Sequence, residues 1–118
     1  MSETLTIYHN PRCSKSRQTL GLIEERGVQP DIVRYLDTPP TATELIEIIR
    51  RLGISARDLL RTKETAYTEL GLENPLLSEK DLIEAMVAYP ILIERPIVVR
   101  GNQAVIGRPP ENVIALLG

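Results

Sequence analysis

The sequence contains no tryptophan and no phenylalanine, which leaves four tyrosines as its large aromatic residues. A hydrophobic core must therefore be built from leucine, isoleucine and valine. Apolar residues make up 42% of the 118 positions and charged residues 25%, a balance typical of a globular chain rather than a disordered one. The length suits one domain, 1–118, and is short for two.

Cysteine and histidine are scarce, with one of each. A single cysteine, Cys13, excludes an internal disulfide and a cysteine-rich metal centre. A single histidine, His9, leaves too few ligands for a histidine-based metal site. We therefore expect neither a bound metal nor a resident cofactor.

Long apolar runs and an excess of one charge are also missing. Nothing approaches the roughly 20 residues that cross a bilayer, and the amino-terminal residues lack the pattern of a signal peptide. The net charge of −2 argues against binding nucleic acid through charge. We expect a monomer in the cytoplasm with a reduced thiol, bound to neither membrane nor nucleic acid. Arginine outnumbers lysine 11 to 3, a bias that suits planar recognition of anions.

The first third of the chain predicts a strand-helix-strand unit. Residues 5–8 indicate a strand, the pattern of 14–26 is helical and ends at Gly27, and 32–36 indicate a second strand. A helix of this length between two strands makes the strands parallel.

Three capping boxes predict the starts of the helices that follow, at Thr41, Ser55 and Ser78. Residues 97–106 predict an antiparallel hairpin turning at Gly101, and 111–117 a last helix. This order predicts an α/β, thioredoxin-like fold in which helices flank a mixed four-stranded sheet. A helical insertion, about 54–89, precedes the hairpin, and we expect it to be too short for a core of its own.

Cys13 lies between the end of a strand and the start of a helix, among Arg12, Lys15 and Arg17. Free amide groups, the positive end of the helix dipole and neighbouring cations all favour a thiolate over a thiol. A lone cysteine is more often a buried apolar residue, but these polar neighbours favour a reactive thiol.

Two nearby residues allow two interpretations each. Ser16 occupies the place of a second cysteine in dithiol motifs, so an external thiol must resolve any adduct on Cys13. Its hydroxyl either hydrogen-bonds the thiolate or is an ordinary first-turn residue. His9 either supports the thiolate and its loop or only ends a strand.

An oxyanion held beside Cys13 would need arginine from elsewhere in the chain. A phosphatase-type loop requires Cys-x5-Arg, and position 19 is threonine. Position in the predicted fold selects Arg95, Arg108 and Arg61. In a thioredoxin-like fold the Arg95–Pro96 bond faces the cysteine and is typically cis.

The stretch from Ile7 to Arg17 resembles the glutaredoxin-coupled arsenate reductases of bacteria. The likeness continues in order along the chain: Tyr35-Leu36 with Pro39-Pro40, Asp58-Leu59-Leu60-Arg61, Tyr67 with Leu70-Gly71-Leu72, Pro90-Ile91-Leu92-Ile93, Arg95-Pro96-Ile97-Val98-Val99 and Ile106-Gly107-Arg108-Pro109. The resemblance implies that Cys13 is the nucleophile, that Arg61, Arg95 and Arg108 bind the oxyanion, and that His9 and Ser16 support the site. It also implies a thiol–arsenate adduct resolved by glutathione, as a co-substrate, and glutaredoxin.

Arg12 and Lys15 make the loop more basic than in dedicated resistance enzymes, which resembles the housekeeping branch of the family. The alternative is a redox-responsive adaptor of the same fold that binds a protein partner such as RNA polymerase, with little or no catalysis. Regulators of that kind usually carry Cys-x-x-Cys, whereas this chain has Ser16 at the second position.

Overall fold

A computed structural model describes residues 4–117. The strands are β1 (Leu5–His9), β2 (Asp31–Arg34), β3 (Ile97–Arg100) and β4 (Gln103–Ile106). They form one sheet in the order β2-β1-β3-β4. β1 and β2 are parallel and β3 and β4 are antiparallel, as the sequence predicts, and β1 pairs with β3 in the antiparallel direction.

The α-helices are α1 (Ser14–Glu25), α2 (Ala42–Leu52), α3 (Ala56–Leu59), α4 (Thr65–Glu69) and α5 (Glu79–Ala88). Two 3-10 helices cover Pro90–Leu92 and Pro110–Leu116. Within residues 4–117, no helix combines the length and the apolar character needed to span a membrane.

Contacts within the chain group the described residues into two compact units. The first contains 4–38 and 95–117, and therefore the whole sheet, α1 and the last 3-10 helix. Its core lies between α1, the sheet and that 3-10 helix, and consists of Leu5, Ile7, Ile23, Val98, Val113 and Leu116. Burial alternates along β1, so that His9 lies on the same face as Leu5 and Ile7.

The second unit is Pro39–Glu94 and contains α2 to α5. It is larger than the expected insertion, 54–89, because α5 packs against α2 as well as α3. With α2 included the unit has buried apolar residues from several helices, among them Leu45, Ile48, Leu59, Leu82 and Met86. All three predicted capping boxes are present, at the starts of α2, α3 and α5.

Two short elements differ from expectation. The last helix is 3-10 rather than α: the Asn112 amide bonds to the Pro109 carbonyl at 3.0 Å, three residues back. The helix α4 was not predicted from the sequence, since it has five residues, no side-chain cap and no buried residue.

Candidate active site

Cys13 is the residue at the amino-terminal cap of α1. Its backbone is extended, with φ −94° and ψ 123°, and its side chain is 9% exposed. The carbonyl of Cys13 accepts the first hydrogen bond of the helix, from the Arg17 amide at 3.0 Å. The amides of 14–16 have no acceptor within the helix, and with the helix dipole they create a positive potential beside the sulfur.

A turn built on Asn10 leads into the helix. The Asn10 carbonyl accepts from the Cys13 amide at 3.0 Å, and its side-chain oxygen accepts from the Arg12 amide at 3.0 Å. The Arg17 guanidinium donates to the Pro11 carbonyl at 2.9 Å. These bonds fix the loop from both ends, so the backbone that carries the thiol is well defined.

Ser16 and His9 form a buried pair beneath this loop. The Ser16 hydroxyl oxygen is 2.6 Å from His9 Nδ1 and accepts from the Asn10 amide at 3.0 Å. Among the hydrogen bonds of the described residues, those of this hydroxyl go to His9 and Asn10 rather than to Cys13. Ser16 therefore connects His9 to the loop instead of forming the hydroxyl–thiolate bond that was one of its two interpretations, and the supporting role of His9 stays a prediction.

The surroundings of the His9 imidazole favour its neutral form. Burial lowers its pKa below the ordinary 6.5, and the positive charges of Arg34 and Arg17 lower the pKa further, against a smaller opposing effect of Glu24. A neutral ring can accept the Ser16 proton at Nδ1 while Ser16 still accepts from Asn10.

This arrangement predicts a loss of stability at acidic pH. Because the folded protein favours the neutral ring, the unfolded chain binds more protons below pH 6.5, and the free energy of unfolding falls as pH drops through that value. His9 is the only histidine in the sequence, so its NMR titration is read without overlap. We expect a His9 midpoint below 6.5, and a stability loss between pH 7 and 5 that His9→Asn reduces. A midpoint above 6.5 would contradict the arrangement.

Arg108 is the cation that the structure places beside the thiol. Its Nη1 lies 3.8 Å from Cys13 Sγ, although the two residues are 95 positions apart in sequence. The same nitrogen donates to the Arg95 carbonyl at 3.5 Å. One guanidinium thus connects the cysteine to the segment that enters β3.

Arg95 lies two residues before the start of β3, and the Arg95–Pro96 bond is cis, as predicted from the fold. The Arg108–Pro109 bond is also cis, and this was not predicted from the sequence. Arg95 and Arg108 therefore both belong to the first unit, with Cys13.

Arg61 belongs to the second unit. Its guanidinium forms ion pairs with Glu64 and, at 3.6 Å, with Glu94, and its amide donates to the Leu92 carbonyl at 2.8 Å. These contacts define its place within that unit, and its oxyanion role stays a prediction.

A thiol at a helix start, a guanidinium beside it and a cis proline before β3 are the features expected of the family that the sequence resembles. The family model described as ArsC family matches residues 8–116. This chain belongs to the ArsC family.

Relatives of this ArsC-family chain match it along nearly its whole length. It is 51% identical to the protein named arsenate reductase from Neisseria meningitidis serogroup B, over 96% of this chain and 97% of the relative. It is 54% identical to Uncharacterized protein YfgD of Escherichia coli K12, over 100% of both. The solved structure of arsenate reductase from Vibrio cholerae has a TM-score of 0.94 and 46% identity, covering 98% of each chain. The fold is thioredoxin-like.

Three side chains near this ArsC-family site, those of Asn10, Thr19 and Asn112, were not predicted from the sequence. Asn10 falls within the stretch that carries the family resemblance, and position 19 only marks the absence of a phosphatase-type arginine. Thr19 is polar and fully buried in the structure. The one signal in the sequence is that a threonine lies within the predicted helix that follows Cys13.

Proposed function

We propose that this protein is an oxidoreductase that reduces arsenate to arsenite, with Cys13 as nucleophile and glutathione and glutaredoxin as reductants. The observation that carries the proposal is the 3.8 Å approach of Arg108 Nη1 to Cys13 Sγ at the start of α1. Relatives named arsenate reductase at about half identity support arsenate as the substrate class.

The site supplies positive potential from two directions. The first-turn amides of α1 face the thiol from the helix, and the Arg108 guanidinium faces it from the segment after β4. A tetrahedral dianion would meet both, and a guanidinium can pair two of its oxygens at once. Arg95 and Arg61 complete the proposed oxyanion-binding set that the family resemblance implies.

The proposed reaction begins with a condensation. The Cys13 thiolate attacks arsenic, an As–S bond forms, and one arsenate oxygen leaves as water after protonation. Glutathione then replaces a second oxygen on arsenic, again releasing water, so that the arsenic carries two sulfur ligands and is still pentavalent.

Reduction follows at the glutathione sulfur. A glutaredoxin thiolate attacks that sulfur, the As–S bond to glutathione breaks, and its electron pair stays on arsenic, which becomes trivalent. The products of this step are a glutaredoxin–glutathione disulfide and a Cys13–arsenite adduct. Water then releases arsenite and returns the Cys13 thiol, so two electrons from two external thiols balance the reduction.

The test is a coupled assay in which glutathione reductase reports turnover as NADPH consumption. We expect consumption that requires arsenate, glutathione and glutaredoxin together, because Cys13 is the only cysteine of the chain and cannot form an internal disulfide. Phosphate is the matched control. In place of arsenate it should support no NADPH consumption, and added together with arsenate it should compete for the site. Sustained arsenite release with thioredoxin as sole reductant would contradict the proposed cycle. Absence of any arsenate turnover would favour the adaptor.

A further inference from the structure

Three successive backbone carbonyls before and at Arg108 accept hydrogen bonds from side chains. The side-chain Nδ2 of Asn112 donates to the carbonyls of Ile106, at 3.1 Å, and Arg108, at 3.2 Å. The Thr19 hydroxyl donates to the carbonyl of Gly107, at 3.1 Å. Since β4 ends at Ile106, the carbonyls of residues 107 and 108 lie beyond the strand pairing. Side chains from α1 and the last 3-10 helix bond to these carbonyls instead.

Gly107 brings this segment unusually close to α1. Its amide donates to the Pro96 carbonyl at 2.9 Å. A Cβ at position 107 would lie 2.7 Å from Thr19 Oγ1 and 2.9 Å from Pro96 Cγ, distances that real side chains do not tolerate. The Gly107 backbone therefore packs directly on the Thr19 side chain, which sets its separation from the helix.

Thr19 belongs to the same helix as the thiol. Its hydroxyl also lies 2.9 Å from the Lys15 carbonyl, so one proton is shared between that carbonyl and the carbonyl of Gly107. The helix thus presents Cys13 at its start and, six residues later, a direct bond to the residue before Arg108.

We propose that Thr19 and Asn112 are positioning residues that fix the backbone at 106–108 and thereby hold the Arg108 guanidinium beside Cys13. The consequence for catalysis rests on the proposed function, because it assumes that Arg108 acts on the oxyanion. The placement of the Arg108 guanidinium by Thr19 and Asn112 does not rest on the proposed function, and it is tested without arsenate.

The measurement is the rate of Cys13 alkylation by iodoacetate divided by the rate with iodoacetamide. The two reagents attack the same thiol and differ in charge, so their ratio reports the cationic field at the sulfur. We expect Arg108→Ala to lower the ratio about three- to tenfold, the size of one charge interaction at this range in a hydrated site.

Thr19→Val removes the hydroxyl and keeps the shape of the side chain. We expect it to lower the ratio at least about twofold, and Thr19→Ser to restore most of the loss. Asn112→Ala changes an exposed side chain and should act in the same direction. Thr68→Val, in the exposed helix α4, is the matched control and should leave the ratio unchanged.

The double variant Thr19→Val/Arg108→Ala separates positioning from a general structural effect. If Thr19 acts through Arg108, the double variant has the ratio of Arg108→Ala alone. The proposal is overturned if Thr19→Val and Asn112→Ala keep the wild-type ratio while their thermal unfolding remains cooperative. It is also overturned if Arg108→Ala itself leaves the ratio unchanged. A protein that follows the expected pattern but does not turn over arsenate would refute the proposed function and leave the positioning intact.

Discussion

Cys13→Ser is expected to abolish arsenate reduction, with a fall in kcat/KM on the order of 10³-fold or more. The variant lacks the sulfur that would form the proposed As–S bond, and a serine hydroxyl at the same helix start is far less ionised and far less nucleophilic. No second cysteine in the sequence can take over the attack. Steady-state kinetics in the glutathione–glutaredoxin assay measure the effect.

The thermal stability of the Cys13→Ser variant is the control for its activity. The Cys13 side chain makes no capping hydrogen bond, and its amide and carbonyl bonds to Asn10 and Arg17 are made by the backbone. Cys13→Ser should therefore have a thermal unfolding midpoint close to that of the wild type. Full activity in this variant would remove the thiol from the mechanism.

Arg108→Ala should reduce kcat/KM for arsenate by about 10²- to 10³-fold. The guanidinium beside the thiol would stabilise the negative charge on the arsenate oxygens as the As–S bond forms, and the loss of one such charged donor costs about 2–4 kcal/mol. The kcat/KM of Arg108→Lys should lie between those of the wild type and Arg108→Ala, since an ammonium keeps the charge and loses the planar pair of donors. We expect the same order for the alanine and lysine variants of Arg95.

Arg50→Ala is the matched control for these arginine variants. Arg50 forms an exposed ion pair with Glu47 within α2, an interaction that contributes little to stability. Its removal should leave kcat/KM unchanged. If Arg108→Ala and Arg95→Ala both behave like Arg50→Ala while Cys13→Ser is inactive, the oxyanion site has been assigned to the wrong residues.

Much of the fold could be predicted because its signals are local. The capping boxes that begin at Thr41, Ser55 and Ser78 each depend on four consecutive residues. The hairpin depends on the tight turn at Gly101. The grouping of α2 with the later helices was not predictable in the same way. It depends on which helices α5 packs against, and that is a property of three-dimensional contacts rather than of a sequence window.

In the site as well, features with a local signal could be predicted from the sequence and features that depend on three-dimensional contacts could not. Cys13 and its helix start could be predicted from a dozen neighbouring residues, and Arg108 from its position in the predicted fold, with the same residue implied by the family resemblance. The bond between Ser16 and His9 could not be predicted, because the sequence places the Cys13 thiolate within reach of the same hydroxyl and does not say which partner it bonds. The contacts of Thr19 and Asn112 were also out of reach, since both donate to backbone carbonyls, which carry no sequence signal.

The 95-residue separation between the thiol and its guanidinium has a consequence during synthesis on the ribosome. Cys13 emerges early, when neither β3 nor the segment carrying Arg108 has been made. Until then it is a cysteine at a helix start without the cation that completes its surroundings. The chain therefore acquires its full anion-attracting thiol only once the last hairpin has paired with β1. A nascent chain should accordingly be slower to react with anionic oxidants and alkylating agents than the finished protein.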